Sequence, residues 1–356
     1  MAIFLAFGLA GCALSAGNSQ TAPVSSSPAA SSARAAEAPS EMPTSGDSPS
    51  PPPAASYAPS PASEAPQNAS ATPGVPAPEK TSAPLGLLPA YFLAAKPDDA
   101  APKDAKGVVL ASYGGGLGQQ YNPTTIAQIA LAYYGRWLSD TDPDKAAADR
   151  KSFLAQTDWL IAHQSADGRW LYSFEWGSQQ VPWWSAIAEG QGMSALLRAY
   201  AMTGDPAALA AVIRARGTFD RDLGDDGIAA PVTVGGTTYI VYQEYLPGYE
   251  PNVLNGWIFS LIGLYETETY LGDSGAYEDL WSSDRGFVAL KALLPYYDTG
   301  AWSRYYVERF GKSPSGGLDT TAYHILVIAQ LRYLATISGD AFFSDCAARF
   351  ASYMKT

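Results

Sequence analysis

A mainly α-helical fold, built of antiparallel helical hairpins that form an incomplete (α/α) toroid with short β-hairpins at the cleft end, is what this sequence predicts. Three observations lead to it. Eight segments repeat apolar residues at helical spacing. Each opens at a capping residue or Pro-containing turn and is divided from the next by Gly, Asp and Pro clusters. All nine Trp and nearly all Tyr and Phe lie after about Leu85, which is ample material for one large core.

The elements follow in order. Thr124 to Leu138 places Ile126, Ile129, Ala130, Tyr133, Tyr134 and Trp137 on one helical face, and Ala146 to His163 does the same with Phe153, Leu154, Trp159 and Leu160. Trp184 to Met202, Pro206 to Arg216, Val253 to Tyr270, Asp279 to Leu293, Thr321 to Ile337 and Asp340 to Tyr353 continue the series. Two runs alternate instead, Gly168 to Phe174 and Thr237 to Tyr242, and read as strands of small hairpins, with Asp167-Gly168 and Gly235-Gly236 as turn formers.

The region before Leu85 is of another kind. Residues 13–84 are almost wholly Ala, Pro, Ser, Thr and Gly, too poor in apolar surface to offset the entropy of ordering, and read as a disordered tether. Residues 1–12 are a short apolar run, too short to span a membrane and suited to a signal segment, although no Lys or Arg precedes it. Leu9-Ala10-Gly11-Cys12 resembles the bacterial lipobox, which makes Cys12 the lipidated residue. The competing reading is an ordinary secretory signal cut near Ala16. Either places the protein outside the cytoplasm, and the lipid version anchors residues 85–356 to a bacterial membrane, facing the periplasm or the cell surface, through a flexible leash. Cys12 and Cys346 lie in contexts too different for a structural disulfide.

A net charge of −12 and a pI near 4.6 exclude nucleic acid as a natural partner, since phosphate binding needs a basic face. A cleft can still be locally positive, and Arg136, Arg169, Arg198, Arg304 and Arg309 are candidates to make it so. His163 and His324, the only histidines, lack a metal-ligand spacing, and there is neither a phosphate loop nor a Gly-x-Ser-x-Gly elbow. Chemistry without metal or cofactor is therefore expected, with Asp225-Asp226-Gly227 and Asp298-Thr299-Gly300 read as turns rather than calcium ligands. What stands out is Tyr beside ionisable groups in loops before helices: Gln243-Glu244-Tyr245, Tyr297-Asp298 with Arg304-Tyr305-Tyr306, and Tyr323-His324.

Several motifs, taken in order, resemble the C-terminal domain of the D-glucuronyl C5-epimerases. They are Tyr121-Asn122-Pro123-Thr124-Thr125, Glu189-Gly190-Gln191-Gly192-Met193 with Arg198, Glu244-Tyr245 with Val253-Leu254-Asn255-Gly256, Ser260 to Tyr265, Tyr297 to Gly300 with Tyr305, and Tyr323-His324 with Gln330-Leu331. The resemblance implies an isomerase that inverts C5 of hexuronate residues in an anionic glucuronate-containing polysaccharide of heparosan or heparan type. It implies Glu244 and Tyr323 as the opposed acid/base pair, with Tyr245 able to replace either, and Tyr305 and Asn255 assisting or holding substrate. Further substrate contacts expected from these motifs and the nearby cations and aromatics are Tyr121, Gln191, Trp184, Tyr297, Arg304, Arg309 and His324.

Two departures from the family pattern bear on substrate grip. Glu308, followed by Arg309, stands where a basic residue usually follows the Tyr305 position, and only Leu85 to Gln120 stands where eukaryotic members carry β-rich domains. Completion of the cleft by a homodimer or a separate β-rich partner is therefore an expectation. The competing readings are a polysaccharide lyase, which shares the C5 proton abstraction, a glycoside hydrolase with two carboxylic acids, and a noncatalytic glycan-binding lipoprotein using Trp170, Trp176, Trp183, Trp184 and Tyr249.

Overall fold

The computed structural model describes residues 86–355 apart from 94–96, 98, 115, 249–250 and 272–281, so Cys12, the signal segment and the tether lie outside the described residues. Each predicted helical segment is a helix: α1 Pro123–Ser139, α2 Pro143–His163, α3 Ala186–Thr203, α4 Pro206–Arg216, α5 Leu254–Leu271, α6 Ser282–Leu293, α7 Thr321–Ser338 and α8 Ala341–Tyr353. The expected start of the sixth at Asp279 falls outside the described residues. Side chains of Asn122, Asp142, Ser185, Asp205, Thr320 and Asp340 accept from the first free N–H groups of their helices, and Pro opens α1, α2 and α4. No described helix is long and apolar enough to cross a membrane.

The helices pack as hairpins α1–α2, α3–α4, α5–α6 and α7–α8, while α1, α3, α5 and α7 also pack on one another in sequence. This makes an inner row of four helices backed by an outer row, the arc of an incomplete (α/α) toroid. Inner helix α3 is accordingly buried nearly all round from Ala186 to Ala199, and α1 from Pro123 to Tyr134. Outer helix α8 docks through one stripe, Phe343, Ala347 and Phe350; each such buried phenylalanine contributes about 1.5–3 kcal/mol. Between α3 and α5 the backbones touch: a Cβ on Gly190 would stand 2.6 Å from Ser260 Cα, and one on Gly263 would stand 2.0 Å from Gly190 O. Only glycine permits that approach. The same interface buries Arg198 in a two-pronged pair with Glu266 at 2.8 and 2.9 Å.

Two hairpins flank the helices. β1 (Ala111–Tyr113) pairs antiparallel with β2 (Gly118–Gln120), and β3 (Ala229–Val234) with β4 (Thr237–Tyr242), the latter joined by Gly235 and Gly236 at φ 60° and 84°. β4 coincides with the run expected from sequence. Gly168 to Phe174 does not form a strand; it makes isolated bridges only, Trp170 to Gln164 and Tyr172 to Trp183. The segment opposite carries Pro182, which has no N–H to offer a ladder. The third helix likewise starts after Trp184, because Trp184 and Leu246 exchange both backbone hydrogen bonds at 3.0 and 3.1 Å before the Ser185 cap.

Candidate active site

The first turns of the four inner helices meet one group of loops. Thr124 of α1 is bonded to the Tyr172 hydroxyl at 2.6 Å, Ala188 of α3 packs against Tyr172 and Trp183, Gly256 of α5 lies under Glu244, and Tyr323 of α7 packs on Tyr305. The helices are therefore parallel, with their partly positive N-terminal ends converging on one place.

Glu244 is carried to that place by a strap between β4 and α5. Its neighbour Gln243 is locked to Asn252, Nε2 donating to Asn252 Oδ1 at 2.7 Å and Asn252 N donating to Gln243 Oε1 at 3.2 Å. Asn252 is in turn held at φ 50° by Tyr297, whose hydroxyl donates to Asn252 O at 2.8 Å, and by its own amide donating to Val307 O at 2.9 Å. The segment that carries Tyr305 is tied to the start of α5, with Leu254 N donating to Tyr305 O at 2.9 Å.

Three phenols gather beside the Glu244 carboxyl. The Tyr245 and Tyr305 hydroxyls are 3.3 Å apart, and the Tyr305 and Tyr323 rings lie 4.8 Å apart. Glu244 is 2% exposed and its Oε2 has no hydrogen-bond partner among the described residues. Burial pushes its carboxyl up to about 7, against a smaller opposing effect from a hydrogen bond with Tyr245. Burial first, and the Glu244 charge second, hold Tyr245, Tyr305 and Tyr323 above the ordinary phenol range. At neutral pH the cluster thus contains a carboxyl that both loses and holds a proton readily, and phenols that keep theirs. Asn255, on the first turn of α5, is 2% exposed; its carbonyl accepts from Gln330 at 2.9 Å, and its side-chain Oδ1 has no partner among the described residues.

Other residues expected at the site are placed elsewhere or committed to the frame. Tyr121 donates to Asp104 at 2.8 Å and stacks on Trp159. Gln191 is buried within α3 beside Tyr91. Trp184 is 5% exposed, its N–H donates to Gly227 O and Arg169 covers its ring at 4.2 Å. Tyr297 is fully buried as the brace of Asn252, and His324 is fully buried between Ser303 and Phe350. Arg304 donates to Gly316 O at 3.1 Å, across the loop between them, whereas Arg309 is exposed.

Three of the five arginines considered for a positive cleft are likewise taken: Arg136 by Asp99 and Asp149, Arg169 by Asp167 and Asp226, Arg198 by Glu266. Asp298 makes a turn, accepting from Gly300 N at 2.7 Å. For Arg136, Arg169, Arg198 and Asp298 the reason is that charged side chains brought beside opposite charges or backbone donors pair within the protein.

The structure also adds residues. Tyr172 is 1% exposed, stacks on Trp183 at 3.7 Å and feels the Glu244 charge; Tyr113, held by Asn122 at 2.6 Å, extends the aromatic wall with Phe174 and Trp176. Their signal in the sequence is the alternation of Trp170, Tyr172 and Phe174, which marks an inward face but not which inward residue borders a site. Trp170 and Trp183 are buried in packing, so neither is an exposed glycan platform, and Tyr249 lies outside the described residues.

A family model described as D-glucuronyl C5-epimerase C-terminus matches residues 164–352, more than half of the chain. This chain belongs to that family. The matched stretch of the C5-epimerase C-terminus carries Tyr172, Glu244, Tyr245, Asn255, Tyr305 and Tyr323, and leaves α1 and the β1–β2 hairpin outside it. Among family relatives, a D-glucuronyl C5-epimerase of Caenorhabditis elegans is 30% identical over 219 residues, covering 57% of this chain and 35% of the worm protein. The chain thus spans about a third of that relative's length. An uncharacterized protein of Methanocaldococcus jannaschii is 25% identical over 214 residues, covering 56% of this chain and 68% of that protein. Among solved structures, the unsaturated glucuronyl hydrolase of Bacillus sp. GL1, responsible for the degradation of glycosaminoglycan, aligns with a TM-score of 0.44 and 18% identity, covering 65% of this chain and 61% of that one.

Proposed function

We propose that this domain is an epimerase that inverts C5 of hexuronate residues, in the sense D-glucuronate to L-iduronate, within an anionic polysaccharide. The observation that carries the reading is the meeting of Glu244 with Tyr245, Tyr305 and Tyr323 at the converged helix N-termini, in a chain of the C5-epimerase family.

The chemistry follows from the protonation states. Glu244, buried and poised near 7, takes the C5 proton; the C–H electron pair moves into the C5–carboxylate bond, giving an enediolate with the charge on oxygen. Phenols that stay protonated donate hydrogen bonds to that charge, and the N-terminal ends of α1, α3, α5 and α7 stabilise it further. Tyr323 then delivers its proton to C5 from the opposite ring face and is left as a phenolate; Glu244 releases the proton it took to solvent and the phenolate takes one up, which restores the starting state. The reverse direction uses the same two groups with their roles exchanged.

The deciding experiment is incubation of glucuronate-containing polymers with the protein in deuterated water. Deuterium entering at C5 without cleavage supports epimerisation. Unsaturated product would instead establish a lyase, new reducing ends a hydrolase, and no change a glycan binder. Export and lipid anchoring through Cys12 belong to the same proposal: Cys12→Ser releases the protein from the membrane fraction, and unchanged fractionation refutes the anchor. A second copy closing the cleft is tested by sedimentation of the purified protein.

A further inference from the structure

We propose that Ser303, Asp319 and His324 form a proton-sharing clasp that positions Tyr305 and Tyr323 for proton delivery; this rests on the epimerase reading above. All three are buried, at 0%, 6% and 0% exposure. Ser303 Oγ contacts both Asp319 Oδ2 and His324 Nδ1, the latter at 2.6 Å.

The proton count is decisive. His324 Nε2 lies 3.0 Å from Phe350 O, which can only accept, so Nε2 carries hydrogen. A neutral His324 then has an accepting Nδ1, and an ionised Asp319 accepts as well. Ser303 N also donates to Nδ1, at 3.4 Å, but the 2.6 Å contact between Oγ and Nδ1 still needs a hydrogen between its two atoms, and the single Ser303 hydroxyl hydrogen cannot serve both it and Asp319. The cluster therefore holds one further proton. With that proton on Asp319, the chain runs from Asp319 O–H to Ser303 Oγ and from Ser303 O–H to His324 Nδ1. Burial favours this neutral arrangement, pushing the Asp319 carboxyl up to about 6 and His324 down.

The clasp joins the two elements that carry the catalytic phenols. Ser303 opens the segment that runs to Tyr305, and Asp319 precedes the Thr320 cap of α7, whose first turn holds Tyr323. Backbone and ring contacts tighten the joint: Asp319 N donates to Ser303 O at 3.0 Å, the Trp302 indole Nε1 donates to Asp319 O at 2.9 Å, and the Trp302 and His324 rings stack at 3.8 Å. Loss of the shared proton both breaks one hydrogen bond of the clasp and places a negative charge beside Tyr323, where an ionised Asp319 opposes phenol ionisation. The other ionisable groups facing the clasp are Glu244, beyond Tyr323, and from α8 Arg349 and Tyr353, both engaged by Asp298 at 2.6 and 2.8 Å.

The chain has two histidines, so nitrogen-15 NMR of the histidine-labelled full chain, with His163→Gln to assign signals, reads the clasp directly. The expected result is a neutral Nε2–H tautomer for His324, with an Nδ1 signal that shifts as pH rises through the loss of the shared proton in wild type and stays still in Asp319→Asn. The Asn amide can donate to Ser303 but cannot ionise. In the C5-exchange assay, Ser303→Ala and Asp319→Ala lower kcat by on the order of tenfold or more with KM little changed. Asp319→Asn keeps kcat at or above the wild-type value, and its advantage opens as pH rises through about 6, where wild-type Asp319 loses the shared proton, below the window near 7 in which Glu244 gains its charge. An Nδ1–H tautomer, identical pH profiles for wild type and Asp319→Asn, or wild-type kcat in Ser303→Ala would each overturn the clasp. An Nε2–H tautomer in a wild type that exchanges no C5 deuterium would instead sink the epimerase reading, and the positioning role with it, while leaving the proton arrangement intact.

Discussion

Gly256 stands so close to Glu244 that a Cβ at this position would be 2.2 Å from Glu244 Oε2 and 2.9 Å from its Cδ. The floor under the carboxylate is thus bare α5 backbone, and the first turn of that helix can approach a charge that developed beside it. Gly256→Ala is expected to push the carboxylate aside rather than unfold the helix, since alanine is the better helix former by about 1 kcal/mol. The expected outcome is a loss of C5 exchange on the order of a hundredfold with a thermal midpoint near that of wild type, measured on the same preparation.

Glu244 also predicts a pH dependence with a definite sign. Its folded-state value, about 7, is raised above the ordinary carboxyl value of 4.5. The native state therefore binds more protons than the unfolded state between these values, and stability falls as pH rises through that window. Glu244→Gln removes this slope and is expected to be more stable than wild type at pH 8, by up to roughly 3 kcal/mol, while losing exchange activity. Denaturant titrations at pH 4.5 and 8 check it. In wild type, kcat/KM for proton abstraction should rise with pH through about 7.

The tyrosines separate chemistry from packing. Tyr323→Phe and Tyr305→Phe each remove one hydroxyl, costing about 1 kcal/mol of stability if that hydroxyl only bridges its neighbours. As proton donor and charge stabiliser they are expected to cost on the order of a hundredfold or more in turnover. If Glu244 and Tyr323 serve opposite ring faces, as proposed, exchange from glucuronate and from iduronate should fall unequally in Tyr323→Phe and Glu244→Gln. Equal losses from both sides would remove the two-sided assignment.

Arg198 and Glu266 make a purely structural prediction. Arg198 is fully buried and paired at 2.8 and 2.9 Å, so Arg198→Met strands the Glu266 charge and is expected to cost about 3–5 kcal/mol. The double replacement Arg198→Met with Glu266→Leu should recover most of that loss, as urea unfolding would show.

Periodicity, capping residues and Pro-containing turns located the helices because each is a local property of the chain: Asn122, Asp142, Ser185, Asp205, Thr320 and Asp340 cap helices wherever the helices end up. The Gly168 to Phe174 run was read as a strand and proved to make only isolated bridges, because strand formation depends on a partner, and the partner contains Pro182. The family motifs likewise pointed to Glu244, Tyr245, Tyr305 and Tyr323 without showing what surrounds them.

Tertiary structure alone decided which polar residues face the site and which serve the frame. His324 and Tyr297 sit in the same motifs as the clustered residues, and Trp184 shortly before the Glu189 motif, yet each is buried with its polar atoms committed to protein partners, His324 to Ser303 and Phe350, Tyr297 to Asn252, Trp184 to Gly227. That division rests on desolvation. A buried polar atom must find a partner, and whether the partner is the protein or a substrate is set by the residues that distant segments bring beside it. By itself the sequence determined the helices, their hairpin order and the residue types available for proton transfer. The gathering of Glu244 with three phenols at four helix N-termini, and the burial that poises its carboxyl near 7, came only from closing the arc.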